Sequence, residues 1–174
     1  MNSFRFIHLV QFVVLMSLQV LLMRNLVLFE TGFCFVYIGF ILFLPIEMDK
    51  VLLLLLGFVC GFTIDLFYDT SGVHAAATVL MAYLRPSMLK LLTPRDGYEV
   101  SDHASLPSMG WRWFLTYGMV LIFVHHFALF FLELNGFKLI GFTLAKIIAS
   151  TLFTGTVLVI FQMLFFERRA RGFR

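Results

Sequence analysis

The sequence predicts an all-α, polytopic membrane protein with about six transmembrane helices. Of its 174 residues, 61% are hydrophobic and only 13% are charged, whereas a soluble domain is usually less than half apolar and about a quarter charged. Inside a bilayer the backbone must satisfy its own polar groups, which restricts the chain to helices or a closed barrel. Barrel strands alternate in polarity, but apolar runs such as residues 51–62 are unbroken, and this indicates helices.

The length predicts a single transmembrane domain covering residues 1–174. The net charge is +3, and the basic residues lie at the ends of the apolar runs. This placement indicates membrane topology rather than a nucleic-acid-binding surface. The two cysteines, Cys34 and Cys60, lie inside apolar runs without metal-ligand spacing, so we expect them to be packing residues.

About 20 helical residues cross the hydrocarbon core of a bilayer, and six segments are candidates. The expected spans are residues 6–23, 26–46, 51–68, 72–92, 113–134 and 140–166. The first run lacks a small-residue cleavage site, so we expect it to remain as a span. The second is the weakest, because Glu30, Thr31 and Gly32 interrupt its start; it is either a span or a re-entrant segment. The last is long enough to tilt or to begin at the interface.

The distribution of basic residues predicts that the C-terminus is cytoplasmic, because Lys and Arg are enriched in cytoplasmic loops. With six spans and the N-terminus inside, nine basic residues lie at the cytoplasmic side, namely Arg5, Lys50, Lys90, Arg95, Arg112, Arg168, Arg169, Arg171 and Arg174. Only Arg24 and Lys138 then face outward. If residues 26–46 do not cross, Arg5 and Arg24 exchange sides, and nine basic residues again lie inside and two outside. Both alternatives keep the loop 93–112 inside.

Two polar segments are expected to make the cytoplasmic contacts. The loop 93–112 has the composition of an exposed connector and contains Arg95 and Arg112. The tail 167–174 contains Arg168, Arg169 and Arg171. This tail is either a topology signal or a contact for anionic lipid or a cytoplasmic partner.

A stripe of small and acidic residues marks the third predicted span. Gly57, Gly61 and Asp65 recur every four residues and therefore share one face of a helix. Small residues at this spacing let a neighbouring backbone approach closely, and a charge inside an apolar run should face protein rather than lipid. We expect the stripe to pack against the start of the fourth helix, after a tight turn at Gly72, with Asp65 bonded to His74. Asp65 is either a structural cap or part of a groove for a partner helix.

Other polar residues within the spans predict contacts between helices. Gln19 shares a face of the first helix with Gln11 and is expected to hydrogen-bond across helices. Arg85 is expected to extend to the cytoplasmic interface. His125 and His126 point about 100° apart on a helix, which favours separate hydrogen bonds over a shared metal.

The sequence contains none of the patterns that would indicate catalysis. Its serines, histidines and acids do not form a nucleophile–base pattern. Neither HExxH nor a phosphate-binding loop is present. We therefore expect no enzymatic activity, no cofactor and no metal.

The residues already described resemble a family signature. Gly57-x3-Gly61-x3-Asp65, followed by Gly72-x-His74-Ala75, resembles the third-to-fourth-helix signature of MreD, the membrane subunit of the bacterial rod-shape machinery. Gln19 near the end of the first helix, the compact size and the basic C-terminus agree with this resemblance. The turn at residues 69–71 and the long loop 93–112 depart from the family pattern.

The resemblance implies a non-enzymatic scaffold of the cell-elongation complex in the bacterial inner membrane. Its implied partners are an MreC-like protein, the MreB-like cytoskeleton, and the transpeptidase and glycosyltransferase of peptidoglycan synthesis. The implied fold is similar to that of the substrate-binding subunits of energy-coupling-factor transporters. The alternative function is therefore a vitamin-binding transporter subunit, which would need a concave outer pocket with several convergent polar groups.

Overall fold

The computed structural model describes residues 6–98, 103–133 and 140–166, and this part of the chain is mostly helical. Its elements also include a two-stranded antiparallel hairpin and two short 3-10 turns. The α-helices are α1 (Phe6–Leu21), α2 (Gly39–Phe43), α3 (Lys50–Tyr68), α4 (Val73–Leu91), α5 (Leu106–Met109), α6 (Trp111–Glu133) and α7 (Ile140–Phe165).

Four segments among the described residues are long and apolar enough to cross a membrane: α1 with its following turn, α3, α6 and α7. To this extent the prediction of a helical membrane protein is confirmed. Helix α4 has 19 residues but is less apolar, because it carries His74, Arg85 and Lys90. It packs between α3 and α6, so its polar residues can be buried against protein.

Local sequence explains how the α3–α4 hairpin begins and turns. The Asp49 carboxylate accepts the Leu52 N–H at 2.9 Å and caps the start of α3. Asp69, just after α3, and Gly72, just before α4, have φ values of 54° and 86°. Asp and Gly tolerate this left-handed region better than most residues. The chain therefore reverses within a few residues and α4 returns alongside α3.

The prediction of a continuous helical span at residues 26–46 is wrong. Val27–Leu28 and Gly32–Phe33 pair as an antiparallel hairpin, and its turn places Phe29 and Glu30 at positive φ. A 3-10 turn at Val36–Ile38 and the five-residue α2 follow. The polar residues 30–32 thus form the turn of a hairpin and the start of its second strand. The chain is helical only briefly before Pro45.

Residues 34–44, called here the central segment, form the middle of the molecule. All eleven residues are buried. The segment contacts α1 on one side and α7 on another. Its start lies beside Ser150 and Thr154. Near its end, the Phe43 ring is parallel to that of Phe161 and edge-to-face with that of Phe166. The segment therefore runs along α7 in the same direction over several helical turns.

Side chains from the surrounding helices satisfy backbone groups in and beside the central segment. Such contacts are required because irregular backbone at membrane depth is tolerated only where protein or water satisfies it. Two backbone N–H groups donate to hydroxyls of α7: Phe33 to Ser150 at 2.9 Å and Phe35 to Thr154 at 3.0 Å. Carbonyls also accept from other helices, among them Cys34 from Gln19 at 3.1 Å, Leu42 from Tyr117 at 2.9 Å and Leu44 from Arg85 at 2.5 Å.

The prediction that loop 93–112 is an exposed connector is wrong for its second half. Residues 104–106 are buried, and the short helix α5 packs against α6 and α7. The Leu106 N–H donates to the Gln162 side chain at 2.7 Å, and His103 pairs with Pro45. Apolar Ala104 and Leu106 cover this end of the bundle, because leaving them in water would cost hydrophobic free energy.

We predict that Thr154→Val destabilises the protein by about 1–3 kcal/mol, because the buried Phe35 N–H loses its acceptor. Thr156→Val is the matched control on the same helix, since that hydroxyl is exposed and bonds only to Leu152 of its own turn. Thermal unfolding of the detergent-purified variants measures the difference. Equal melting temperatures for the two variants would show that the central segment does not depend on this bond.

Candidate functional site

The glycines of the α3 stripe lie directly against α4. A Cβ atom on Gly61 would lie 2.5 Å from both the Ala75 Cα and the His74 carbonyl oxygen. One on Gly57 would lie 3.0 Å from the Ala82 Cβ. Since the atoms facing Gly61 are backbone, even alanine at this position would force the two helices apart. The structure thus places the stripe against the start of α4, as the sequence suggests.

The Asp65 carboxylate caps α4 from the neighbouring helix. The residue is only 3% exposed, and its two oxygens accept the backbone N–H groups of His74 at 3.0 Å and Ala75 at 2.9 Å. Gly72 occupies the N-cap position and has no side chain to offer. The first N–H groups of a helix lack partners within the helix and favour negative charge. Asp65 therefore supplies the acceptor that the local sequence of α4 does not provide.

Side-chain bonds complete this cap. The Thr70 hydroxyl donates to the Asp65 carboxylate at 2.5 Å, and His74 Nδ1 lies 3.1 Å from the same oxygen. The hydrogen bond expected between Asp65 and His74 is therefore present. Because the carboxylate is directed at α4 and enclosed by these groups, the geometry favours a structural cap over an outward-facing groove.

A second set of polar contacts connects the hairpin to the rest of the bundle. Gln19, fully buried on α1, donates to the Tyr68 hydroxyl at 2.8 Å and to the Cys34 carbonyl. Thr78 donates to the His74 carbonyl at 2.7 Å, so it accepts from the Tyr37 hydroxyl at 3.2 Å. Through Tyr37 the network therefore links the hairpin to the central segment.

The adjacent histidines of α6 point to different partners. His125 Nε2 lies 2.7 Å from the Tyr37 hydroxyl, whereas His126 Nε2 lies 3.3 Å from the Thr154 hydroxyl and its Nδ1 lies 2.7 Å from the Ile122 carbonyl. They make the separate hydrogen bonds that their spacing suggests. Among the described residues, no three His, Cys, Asp or Glu side chains lie close enough to share a metal ion.

Asp65 and His74 have the arrangement of an acid–histidine pair. Asp65 orients Nδ1 of His74, as a carboxylate does for a catalytic base. In the described part of the chain, however, the other ring nitrogen of His74 is buried without a hydrogen-bond partner. His74 Nδ1 also lies 3.0 Å from the Thr70 hydroxyl, which donates to Asp65, so these three side chains bond to one another within the cap.

The expectation that Arg85 extends to the membrane surface is wrong. Arg85 is 1% exposed. Its guanidinium donates to the carbonyls of Leu44 and Pro45 and to the Tyr117 hydroxyl. These carbonyls follow the C-terminus of α2, where the helix dipole favours a cation. Within the residues that the structure describes, Arg85 forms no ion pair with a carboxylate.

Several residues of the network were not singled out from the sequence: Tyr37, Tyr117, Ser150 and Thr154. Polar residues within apolar runs were the available signal, but their partners in the central segment are distant in sequence. The expected cytoplasmic contacts Arg95 and Arg112 are exposed. Arg168, Arg169 and Arg171 lie outside the described residues.

Comparison of the chain with protein-family models, with curated proteins and with solved structures found no match. The function is therefore inferred from the residues and their geometry. The most specific feature is the α3–α4 hairpin closed by Gly61, Asp65 and His74.

We predict that Asp65→Asn destabilises the protein by about 1–3 kcal/mol, because an amide brings only one acceptor oxygen and no charge to the cap. Asp69→Asn is the control: Asp69 is exposed, and asparagine tolerates its left-handed backbone. Unfolding in detergent and abundance in membranes should separate the two variants. If Asp65→Asn accumulates and melts normally but loses a bound partner protein, the carboxylate is a partner contact rather than a cap.

Proposed function

We propose that this chain is a non-enzymatic scaffold of the MreD type in the bacterial inner membrane. It would link peptidoglycan synthesis to an MreC-like protein and the MreB-like cytoskeleton. The observation that supports this best is that the residues that carry the resemblance contact one another in the α3–α4 hairpin. Gly61 admits the α4 backbone, Gly72 permits the turn, and Asp65 and His74 close the hairpin.

The proposed topology has six crossings with both ends cytoplasmic. The central segment would make the second crossing, since it runs beside α7 from Ser150 to Phe166. It is a short irregular crossing enclosed by protein, which is the condition under which non-helical backbone is tolerated in a membrane. The positive-inside bias of the sequence supports the same orientation.

The distribution of polar groups supports a scaffold over a vitamin-binding subunit. At the proposed outer end, Gln19 of α1 donates to the Tyr68 hydroxyl of α3, and the His74 N–H of α4 donates to Asp65 of α3. The cavity described below lies at the opposite end, between the start of α1 and the end of α7. A vitamin-binding subunit would need its polar groups to converge on an outer pocket.

The outer faces of the helices provide the apolar surface that a scaffold needs. Phe58 and Phe62 on α3 are about half exposed and stack with ring centroids 5.5 Å apart. Such a face suits lipid or the helix of a membrane partner. Gln19, Asp65 and Arg85 bond to other elements of the bundle, which supports a structural role for these side chains.

Topology is tested by placing single cysteines at exposed positions. Glu30→Cys should react with an impermeant maleimide in intact cells, because the hairpin turn is expected outside. Asp96→Cys should react only after permeabilisation. Three crossings separate these positions in the six-span topology. Reaction of both cysteines from the same side would mean that the central segment does not cross.

The function is tested by purifying the tagged full chain from native membranes in mild detergent. We expect an MreC-like protein and the elongation transpeptidase and glycosyltransferase to co-purify, and depletion of the chain to round rod-shaped cells. An unrelated polytopic protein with the same tag controls for non-specific capture. Co-purification of a transporter ATPase module together with a bound vitamin would instead support the alternative.

A further inference from the structure

A cavity of about 640 Å³ lies between α1, the end of α7 and the segment around α5. Helices α1 and α7 are not packed side by side here, because the central segment lies between them. Three α1 residues that line the cavity, Ile7, Val10 and Val14, are 40–61% exposed. The cavity is therefore open sideways, towards the membrane.

The cavity is too large to be a packing defect. Voids in protein interiors seldom exceed the size of a water molecule, whereas ligand sites measure about 300–1,000 Å³. At membrane depth the available solvent is lipid. An empty apolar space of this size would also forfeit the dispersion contacts of its walls.

The walls of the cavity differ in chemistry. Apolar side chains from the central segment and α7 form one part: Phe43, Phe161, Phe165 and Phe166. Hydrogen-bonding side chains from α1 and from the segment before α6 form the other: His8, Gln11, His103, Ser105 and Ser108. Among the described residues the amide nitrogen of Gln11 has no hydrogen-bond partner. None of the described residues that line the polar part carries a carboxylate, and its amide, imidazole and hydroxyl groups can donate hydrogen bonds to an anion.

We propose that this cavity binds one anionic phospholipid, in the cytoplasmic leaflet if the proposed topology holds, with its phosphate at the polar wall and an acyl chain against the phenylalanines. Amide, imidazole and hydroxyl groups donate hydrogen bonds, and bonds to a charged oxygen are stronger than neutral ones. A lipid headgroup offers these acceptors at the depth where α1 begins.

The dimensions favour a lipid over a helix of another protein. The α1 residues that line the cavity run from Ile7 to Val14, which is about 10 Å along a helix. A membrane-spanning helix is about 30 Å long and would contact α1 over most of its length. The cavity also has a polar wall, which matches the junction of headgroup and acyl chain.

The test uses the purified full chain, stripped of lipid and mixed with either phosphatidylglycerol or phosphatidylcholine, with bound lipid counted by native mass spectrometry. Val14→Trp fills the cavity. Val13→Trp is the matched control, because Val13 is similarly exposed at 53% but does not line it. Gln11→Leu keeps the size of the side chain and removes the amide, so it tests the headgroup contact without filling the space.

We expect one phosphatidylglycerol to bind wild type and Val13→Trp, in preference to phosphatidylcholine. Binding should be lost in Val14→Trp and about tenfold weaker in Gln11→Leu. Equal lipid binding by the two tryptophan variants would overturn the proposal. The proposal would also be overturned if wild type bound the two lipids equally and Gln11→Leu did not change that binding. A second copy of the chain that wild type retains and Val14→Trp loses would show that the cavity is a protein interface. If Val14→Trp does not fold, the Gln11→Leu result decides.

Discussion

A backbone N–H or carbonyl that faces hydrocarbon has no water to bond, and each such group left alone costs several kcal/mol. A continuous helix avoids this cost internally, but the central segment, residues 34–44, is helical over only part of its length. Its free groups must therefore be met by side chains. Gln19, Arg85 and Tyr117 supply these contacts from α1, α4 and α6, and α7 supplies two hydroxyls. The rotation of these four helices about their axes is consequently tied to the path of one buried segment.

The α3–α4 hairpin is part of the same arrangement. Asp65 fixes the first turn of α4, and the His74 carbonyl in that turn accepts from Thr78, which in turn contacts Tyr37 of the central segment. Hydrogen bonds in series polarise one another in a medium of low dielectric. Displacing Gly61 from α4 would therefore disturb contacts beyond the hairpin, because the capped turn also positions a partner of the central segment.

The sequence predicted features that depend on neighbours along the chain and missed those that depend on distant ones. Unbroken apolar runs located the long helices, and the spacing of Gly57, Gly61 and Asp65 located the hairpin contact. The path of residues 26–46 was not predictable, because a short apolar run has the same composition in a buried irregular segment as in a helix. Arg85 was misplaced for a related reason: its acceptors, Leu44 and Pro45, lie forty or more residues earlier, and nothing local to α4 indicates them.

The buried polar side chains and the exposed apolar side chains of the bundle have different roles. The interior holds Asp65 and Arg85, each bonded to backbone of another element, and His74, whose ring contacts the Asp65 carboxylate, so these groups stabilise the architecture. Movement of one helix past another would break several of these bonds together, which is in keeping with the proposed scaffold. A bundle held in one arrangement, with apolar outer faces such as that of Phe58 and Phe62, is suited to presenting a fixed surface to other membrane proteins.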